Sequence, residues 1–490
     1  MSDVALSGGR IRAVVLVLFV VTSPVTVGVG SANDTLSDTS AEVTDPGQSR
    51  AIEETLVVDG EGDSDSEYVT IQAAVDDASD GDAVKVRGGT YHEEVVINKN
   101  ITLVSRSGAV LDGSYLLDSA FRNRSKGVRI LSNAAPTIDG FRIENYGSGV
   151  SAVRTRGAWT VRNVTIRNSH SDGIDAFGSS GSWTVRNTTV QSGDIGINSG
   201  ASSGSWQVVD SVVRAQSFSG IATGRSTGSW TITETLVRNI SRYGVYADWT
   251  SGRWTITDST VSDSLEGITA EKSDSDWVVR DTTITNSSFN AIDIIDPDGS
   301  WTVRGVTVSG SYTGVNALGS ETEWKVRNST IKASVTGISA LETGGSWTID
   351  STTVRDSSAF GVDAARASEE WVLSDSVVAN STTGVDAFGS TGSWTIRGTT
   401  VRDSAVYGVV VSRSTGNWEI ENSTVGEIKR SRHDSGVFYR VYAAVAAEDG
   451  DLSRDDVLSA VIAYIENEPV DSVDLSRDQI LKLVRYYVRR

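Results

Sequence analysis

The chain has 490 residues, a formal net charge of −20 and no cysteine. The acidic balance argues against a nucleic-acid partner, because a polyanionic ligand needs a basic face. Disulfides and thiolate-bound metals are excluded, and one methionine and three histidines leave few ligands for copper, zinc or haem. We therefore expect no metal and no cofactor.

The acidic side chains are spread along the whole chain, and arginine supplies most of the positive charge. This distribution resembles the solvated acidic surfaces of halophilic proteins, in which excess negative charge maintains solubility in concentrated salt. We expect the charge to form a solvating coat and not a single acidic binding face.

The first 32 residues have the features of a secretory signal peptide. Arg10 and Arg12 precede an apolar run over residues 13–21, and small residues end the segment. This run is shorter than the roughly 20 residues that span a bilayer, although its weakly polar extension leaves an uncleaved membrane anchor as the alternative. Residues 33–55 are polar, acidic and aperiodic, which predicts a disordered linker. The protein is expected to be secreted or held at the cell surface.

A second signature begins at Ile71. Residues 71–75 read Ile-Gln-Ala-Ala-Val, residues 81–86 read Gly-Asp-Ala-Val-Lys-Val, and residues 89–93 read Gly-Thr-Tyr-His-Glu. These segments closely resemble the opening of secreted right-handed parallel β-helix proteins of the pectin lyase-like superfamily, particularly the NosD-like and carbohydrate-binding or hydrolase branch. The resemblance implies a helix that caps the N-terminal end of the solenoid and protects its strand edge. It implies no activity, since the superfamily contains lyases, hydrolases, esterases, epimerases and inert spikes.

Tryptophan marks a repeat through most of the chain. Twelve tryptophans from Trp159 to Trp418 recur at intervals of 23 or 24 residues, and Trp249 alone is out of step. The second and seventh residues after each one are aliphatic, and a Gly-Ile or Gly-Val pair follows, with Ala291 replacing the glycine once. Each unit thus holds three short strand-like segments separated by turn residues.

A unit of this length cannot bury a core alone, but stacked units can. Each unit is expected to form one rung of an all-β, right-handed parallel β-helix over residues 56–435. Because side chains alternate across a strand, the constant aliphatic positions should point inward. Tryptophan shares their parity, which predicts a tryptophan ladder inside the solenoid. A sugar-stacking stripe on the outside is the alternative.

Two groups of residues are catalytic candidates, although the full signatures of pectin lyase-like enzymes are missing. His170 is close in sequence to Asp172 and Asp175, as a general base with a carboxylate partner would be. Asp363 and Asp386 hold the outward position after Gly-Val in successive units, which predicts a separation of about 5 Å, near that of a retaining glycosidase pair. A surface turn and a solvated acidic surface are the respective alternatives.

The binding candidates also follow from the repeat. Arg280, Arg304 and Arg327 align on successive units, where they would either grip an acidic glycan or pair with neighbouring acids. Tyr246 holds the outward position after Gly-Val and is a further carbohydrate-binding candidate. Glycosylation is predicted at four sequons that recur at one turn of the repeat: Asn163, Asn187, Asn328 and Asn422.

Residues 436–490 depart from the repeat. Two similar segments begin with capping-box-like sequences at Ser453 and Ser476, which predicts two amphipathic helices. The pair resembles the helices of dockerin-like modules, but Val445 and Ala447 stand where that calcium loop needs oxygen ligands. We expect a degenerate module that binds no calcium and either caps the solenoid or docks to a partner. Its expected core residues are Tyr464, Leu481 and Val484.

Together these features predict an exported cell-surface β-helix protein without enzymatic activity, which binds carbohydrate or forms part of the cell envelope. The alternative is a polysaccharide lyase or glycoside hydrolase that acts on acidic glycans. An accessory role in copper-site assembly, suggested by the NosD resemblance, is disfavoured because soft ligands are nearly absent. Membrane contact is expected only if the N-terminal segment stays uncleaved.

Overall fold

The computed structural model describes residues 54–60, 67–116, 124–332 and 335–430. The predicted signal peptide, nearly all of the predicted linker and the predicted C-terminal module with Tyr464, Leu481 and Val484 lie outside these residues. No helix in the described part is long and apolar enough to cross a membrane.

Parallel strands stack in register into three ladders, which we call the tryptophan, middle and glycine ladders. The tryptophan ladder has sixteen strands: Thr55–Val58, Ala83–Val86, Thr102–Val104, Thr137–Asp139, Trp159–Arg162, Trp183–Arg186, Trp206–Val209, Trp230–Thr233, Trp254–Thr257, Trp277–Arg280, Trp301–Arg304, Trp324–Arg327, Trp347–Asp350, Trp371–Ser374, Trp394–Arg397 and Trp418–Glu421.

The middle ladder contains the strands that carry the seventh residue after each of the first eleven periodic tryptophans, and three earlier strands. These are Thr90–Tyr91, Val110–Asp112, Arg142–Glu144, Thr165–Arg167, Thr189–Asn198, Val212–Ala222, Leu236–Ile240, Thr260–Ser264, Thr283–Ser287, Thr307–Ser309, Thr330–Lys332, Thr353–Arg355, Val377–Ala379 and Thr400–Arg402.

The glycine ladder contains the strands built around the Gly-Ile and Gly-Val pairs. Its own strands are Val95–Ile97, Lys126–Ile130, Ser148–Ser151, Asp172–Asp175, Tyr243–Tyr246, Glu266–Thr269, Asn290–Asp293, Thr313–Asn316, Thr336–Ser339, Phe360–Asp363, Thr383–Asp386, Tyr407–Val410 and Ile428–Lys429. The long strands Thr189–Asn198 and Val212–Ala222 run through both the middle and the glycine ladders.

A short helix, Ile71–Asp77, packs on the first strands as the sequence predicts. Its N-cap is Thr70, whose side chain accepts a hydrogen bond from the Ala73 amide. The Glu93 carboxylate also accepts hydrogen bonds from the Ile71 and Gln72 backbone amides, each at 2.9 Å. A carboxylate at this end satisfies amides that have no partner within the helix. A single 3₁₀ turn, Gly113–Tyr115, is the other helical element of the described residues.

The tryptophan ladder side chains fill the interior. The twelve periodic tryptophans are at most 3% exposed. Neighbouring rings stack with centroids 4.6–5.4 Å apart and planes within 9° of parallel. Their strands share the register Trp159↔Trp183 and its equivalents, so the rings continue without interruption. The prediction of an internal ladder is confirmed, and the alternative of an external sugar-stacking stripe at these positions is wrong.

The recurring glycine reflects close packing between rungs. A Cβ on Gly220 would lie 2.4 Å from Val237 Cγ1 and 2.5 Å from the Gly244 carbonyl oxygen. Both separations are far inside van der Waals contact, so only glycine allows the next rung to approach this closely. The following aliphatic residue, Ile221 in this rung, is fully buried.

The first turn after each tryptophan strand needs a left-handed backbone. The fourth residue after every periodic tryptophan has a φ between +44° and +64°. Asparagine, aspartate and glycine tolerate this conformation best, and they occupy ten of these twelve corners. The four predicted sequon asparagines all stand at this corner.

Candidate functional site

The strongest candidate site lies on the outer surface of the glycine ladder. Four exposed apolar side chains and one arginine follow the solenoid axis on successive rungs. Each stands two residues before the recurring glycine, or before the alanine that replaces it once. We call them the aromatic stripe: Phe218, Arg242, Leu265, Phe289 and Tyr312. The four apolar members are 40–52% exposed. Backbone hydrogen bonds hold the last three side by side, since the Phe289 amide donates to Leu265 at 2.8 Å and the Tyr312 amide donates to Phe289 at 2.9 Å.

The stripe is ordered by contacts among its own side chains. The Phe289 and Tyr312 rings stack with centroids 5.8 Å apart and planes at 21°. The Arg242 guanidinium lies 5.3 Å from the Phe218 ring centroid and 4.8 Å from that of Tyr243. Stacked rings and cation–π contacts restrict the rotation of exposed side chains. The stripe is therefore a preorganised surface.

Three carboxylates on successive rungs, which we call the acidic row, are close enough to interact: Asp248, Asp293 and Glu266, which directly follows Leu265 of the stripe. The Asp248 carboxylate accepts a hydrogen bond from the Glu271 backbone amide at 2.9 Å. The Asp293 carboxylate accepts one from the Asn316 side-chain amide at 2.7 Å. Burial, followed by the charges of Asp293 and Asp248, raises the pKa of Glu266 to about 7. Burial likewise raises the pKa of Asp248 to about 6 and is the main cause of a raised pKa at Asp293.

Two further aromatic side chains, Trp249 and Tyr246, lie next to Asp248 of the acidic row. Trp249 is 49% exposed, and the Lys272 ammonium lies 4.7 Å from the centroid of its ring. Tyr246 is half-buried next to Tyr243, with ring centroids 5.1 Å apart. The predicted candidate Tyr246 thus lies inside the site. The arrangement offers flat apolar faces next to hydrogen-bond acceptors.

The structure brings Asp172 and Asp175 together, but His170 is oriented elsewhere. Burial, followed by the charge of Asp175, raises the pKa of Asp172 to about 6. The His170 Nδ1 atom lies 3.2 Å from the Tyr146 carbonyl oxygen, and within the described residues its ring has no hydrogen bond to either aspartate. A catalytic role for this group stays a prediction.

The strands place Asp363 and Asp386 opposite each other on adjacent rungs, as expected. Each carboxylate accepts the backbone N–H two residues later, from Ala365 at 3.1 Å and from Phe388 at 2.9 Å. The position is less exposed than simple alternation predicts, since both aspartates are half-buried and Thr269 at the same position is buried. Burial raises the pKa of Asp363 to about 6. The hydrogen bond to the turn is sufficient to explain why aspartate recurs at this position. A catalytic role for Asp363 and Asp386 stays a prediction.

The three predicted arginines lie on the tryptophan ladder and not on the site described above. Arg280, Arg304 and Arg327 pair in register on successive strands. None of the ion pairs in the described part of the chain involves them. They form a short basic row whose role in binding stays a prediction.

The predicted glycosylation sites are exposed corner residues. The Asn163 side-chain amide donates to Asp139 Oδ1 at 2.7 Å, and that of Asn187 donates to Asn163 Oδ1 at 2.7 Å. Asn328 and Asn422 stand at the same corner of later rungs. Glycosylation at the four asparagines remains a prediction.

Metal coordination finds no support in the described ranges, where no group of three or more His, Asp or Glu side chains is placed to hold an ion.

Most of the site was missed by inspection of the sequence. Phe218, Arg242, Glu266, Phe289 and Tyr312 were not predicted, because they occupy variable positions of the repeat. The available signal was an alignment on the glycine and not on the tryptophan. In that alignment the second position before the glycine changes from polar or small residues to large apolar ones over a few consecutive rungs.

The solved structures to which the chain is similar include two epimerases and a pectate lyase. The periplasmic alginate epimerase AlgG has a TM-score of 0.43 and 11% identity, over 69% of this chain and 85% of that chain. The Azotobacter vinelandii mannuronan C-5 epimerase AlgE4 A-module gives 0.32 and 11%, over 74% and 93%. Pectate lyase Pel9A gives 0.28 and 11%, over 82% and 88%. At these TM-scores none of them assigns an activity to this chain.

Two family models match the sequence, while no curated protein matches it significantly. The model of the periplasmic copper-binding protein NosD matches residues 216–350, a segment without His, Cys or Met. The model of the right-handed β-helix region matches residues 86–229 and 290–445, which is more than half of the chain. The twelve stacked tryptophan rungs agree with that match, and the chain belongs to the right-handed β-helix family.

Proposed function

We propose that this protein is an exported, non-enzymatic β-helix protein that binds a polysaccharide on the outer surface of the glycine ladder. The observation that supports the proposal is the aromatic stripe, which is exposed and ordered by its own contacts, beside the acidic row. Export is supported by the signal-peptide features of residues 1–32.

The chemistry of the surface suits sugars. Contiguous exposed apolar side chains in a soluble protein mark interaction surfaces, since they are costly to leave in water. Flat aromatic faces contact the apolar faces of sugar rings, and carboxylates accept hydrogen bonds from hydroxyl groups. A sugar chain that runs along the solenoid axis would meet Leu265, Phe289 and Tyr312 in turn.

The proposal is tested by affinity electrophoresis on a panel of polysaccharides. We expect the double variant Phe289→Ala/Tyr312→Ala to lose at least tenfold in affinity, since it removes the stacked pair. Val406→Ala is the matched control, because Val406 is an exposed side chain at the same repeat position on a distant rung. Its binding should be unchanged. Absence of binding to every polysaccharide, or equal affinity of the double variant and wild type, would refute the proposal.

A second candidate function is polysaccharide cleavage. The raised pKa of Glu266 is the observation that favours it. A carboxyl whose pKa is raised to about 7, close to Arg242, has the properties of a general acid or base at neutral pH. Reducing-end and unsaturated-uronide assays test this in high salt. Product release that disappears in Glu266→Gln, with binding retained, would establish an enzyme. Binding without product supports the non-enzymatic role.

A further inference from the structure

The charges of the glycine-ladder surface restrict what it can bind. The acidic row and Glu271 supply four carboxylates at this surface, and the neighbouring cations are Arg242, Lys272 and the exposed Arg225 beside Tyr246 and Asp248. Arg242 is held between the Phe218 and Tyr243 rings. Lys272 lies over Trp249, with its Nζ 3.8 Å from Glu271. Arg242 and Lys272 are therefore already engaged, and four carboxylates against three cations leave the surface with an excess of formal negative charge.

The acidic row also disfavours a negatively charged ligand. Burial is the main cause of the raised pKa of each of its carboxyls, and the charges of Asp293 and Asp248 raise the pKa of Glu266 more than Arg242 lowers it. A carboxylate or sulfate on the ligand would approach these groups in a medium that screens charge weakly. Like charges at an interface lower the affinity of the wrong ligand.

We infer that the polysaccharide bound at this surface is an uncharged polymer of neutral sugars and not a polyuronate. This inference rests on the proposed function and specifies its ligand class. The sugar rings stack on Phe289 and Tyr312, and their hydroxyls donate hydrogen bonds to Glu266 and Asp293. A polyanionic glycan would instead find unpaired guanidinium groups at Arg280, Arg304 and Arg327, on the tryptophan ladder.

Three kinds of probe separate these ligand classes by affinity electrophoresis or calorimetry: neutral galactomannan and laminarin, the polyuronates alginate and polygalacturonate, and the amino polymer chitosan. We expect a neutral polymer to bind wild type and to lose at least tenfold in Phe289→Ala/Tyr312→Ala. The triple variant Arg280→Gln/Arg304→Gln/Arg327→Gln should bind it as wild type does. Any polyuronate binding should be lost only in the triple variant.

A charge-removal variant gives an independent measurement. Glu266→Gln/Asp293→Asn keeps the side-chain size and one oxygen of each group but removes two negative charges, so it should gain affinity for polyuronate at the stripe. Asp363→Asn is the control, because it removes a charge outside the stripe and should produce no gain. Thermal unfolding of each variant verifies that the fold is retained.

The outcomes distinguish failure of this inference from failure of the proposed binding function on which it rests. Polyuronate or chitosan as the preferred ligand, with binding lost in Phe289→Ala/Tyr312→Ala, overturns the inference and leaves the proposed binding function intact. Failure of all three kinds of polymer to bind refutes both.

Discussion

The aspartate that recurs after the Gly-Ile and Gly-Val pairs is a turn-forming residue. Asp175, Asp363 and Asp386 each accept the backbone N–H two residues later, and Asn198 does the same with the Gly200 amide. An amide oxygen serves this turn as well as a carboxylate does. The carboxylate additionally has a raised pKa, because burial disfavours its charge.

We predict that Asp363→Asn stabilises the protein at high pH. The folded pKa of Asp363, about 6, lies above its ordinary value of 3.8, so the folded state binds the proton more tightly than the unfolded state. Its contribution to stability is therefore lost as the pH rises through this interval. The thermal midpoint of the variant should be roughly 1–3 °C above that of wild type at about pH 8, and the two midpoints should be equal at about pH 4. A difference that does not vary with pH in thermal melts would contradict this account.

The indole N–H groups give a second prediction at this scale. Trp347 donates to Thr343 Oγ1, four residues earlier, at 3.1 Å. In the rung before it, Trp324 Nε1 and Ser320 Oγ are both buried, without a partner among the described residues. Ser320→Thr should place the hydroxyl within hydrogen-bond reach of the indole, as Thr343 does, and raise the free energy of unfolding by about 1 kcal/mol, and Thr343→Ser should lower it similarly. Denaturant unfolding measures both, and shifts of the same sign would contradict the prediction.

At the scale of the strand, stability depends on close approach between rungs. The glycine ladder leaves no room for a Cβ at Gly220, and the tryptophan ladder stacks its rings at van der Waals distance. Each rung contacts mainly its neighbours, so a local distortion is transmitted to the two adjacent rungs.

Gly220→Ala should therefore destabilise the protein by about 1–3 kcal/mol, since the methyl group would displace Val237 or the Gly244 carbonyl. The matched control is Ala291→Gly, at the rung where alanine naturally replaces the glycine. It should cost no more than about 1 kcal/mol, through backbone entropy. Equal losses for the two substitutions in unfolding experiments would contradict the steric explanation.

At the scale of the whole solenoid, in-register stacking brings like residues together on neighbouring strands. Asp363 lies opposite Asp386, and Arg304 lies between Arg280 and Arg327. These repulsions add to the formal net charge of −20, which opposes the compact state.

We predict that the thermal midpoint rises with NaCl between about 0.1 and 1 M, because the screening length falls from roughly 10 to 3 Å. Sucrose is the control, since it favours the folded state through exclusion from the surface without screening charge. The rise in NaCl should exceed the rise in sucrose at equal osmolality. A midpoint that falls or stays constant in NaCl would contradict the prediction.

Much of the fold could be predicted from the sequence, because the determinants are local and periodic. Alternation along a strand places Val161 and Trp159 on the same inward side, and the structure buries both. Gly, Asn and Asp at fixed intervals mark turns, since few other residues adopt positive φ. The capping helix Ile71–Asp77 was likewise indicated by its sequence.

The site could not be predicted in the same way. Phe289 and Tyr312 stand 23 positions apart at a variable position, and only the register of the rungs stacks their rings. Burial by neighbouring rungs, and not the residue type, raises the pKa of Glu266. The sequence alone determined the period, the inward side of each strand and its turns, because these depend on neighbours along the chain. The tertiary structure decided which variable side chains share a surface and how far their charges are desolvated, because both depend on contacts between rungs.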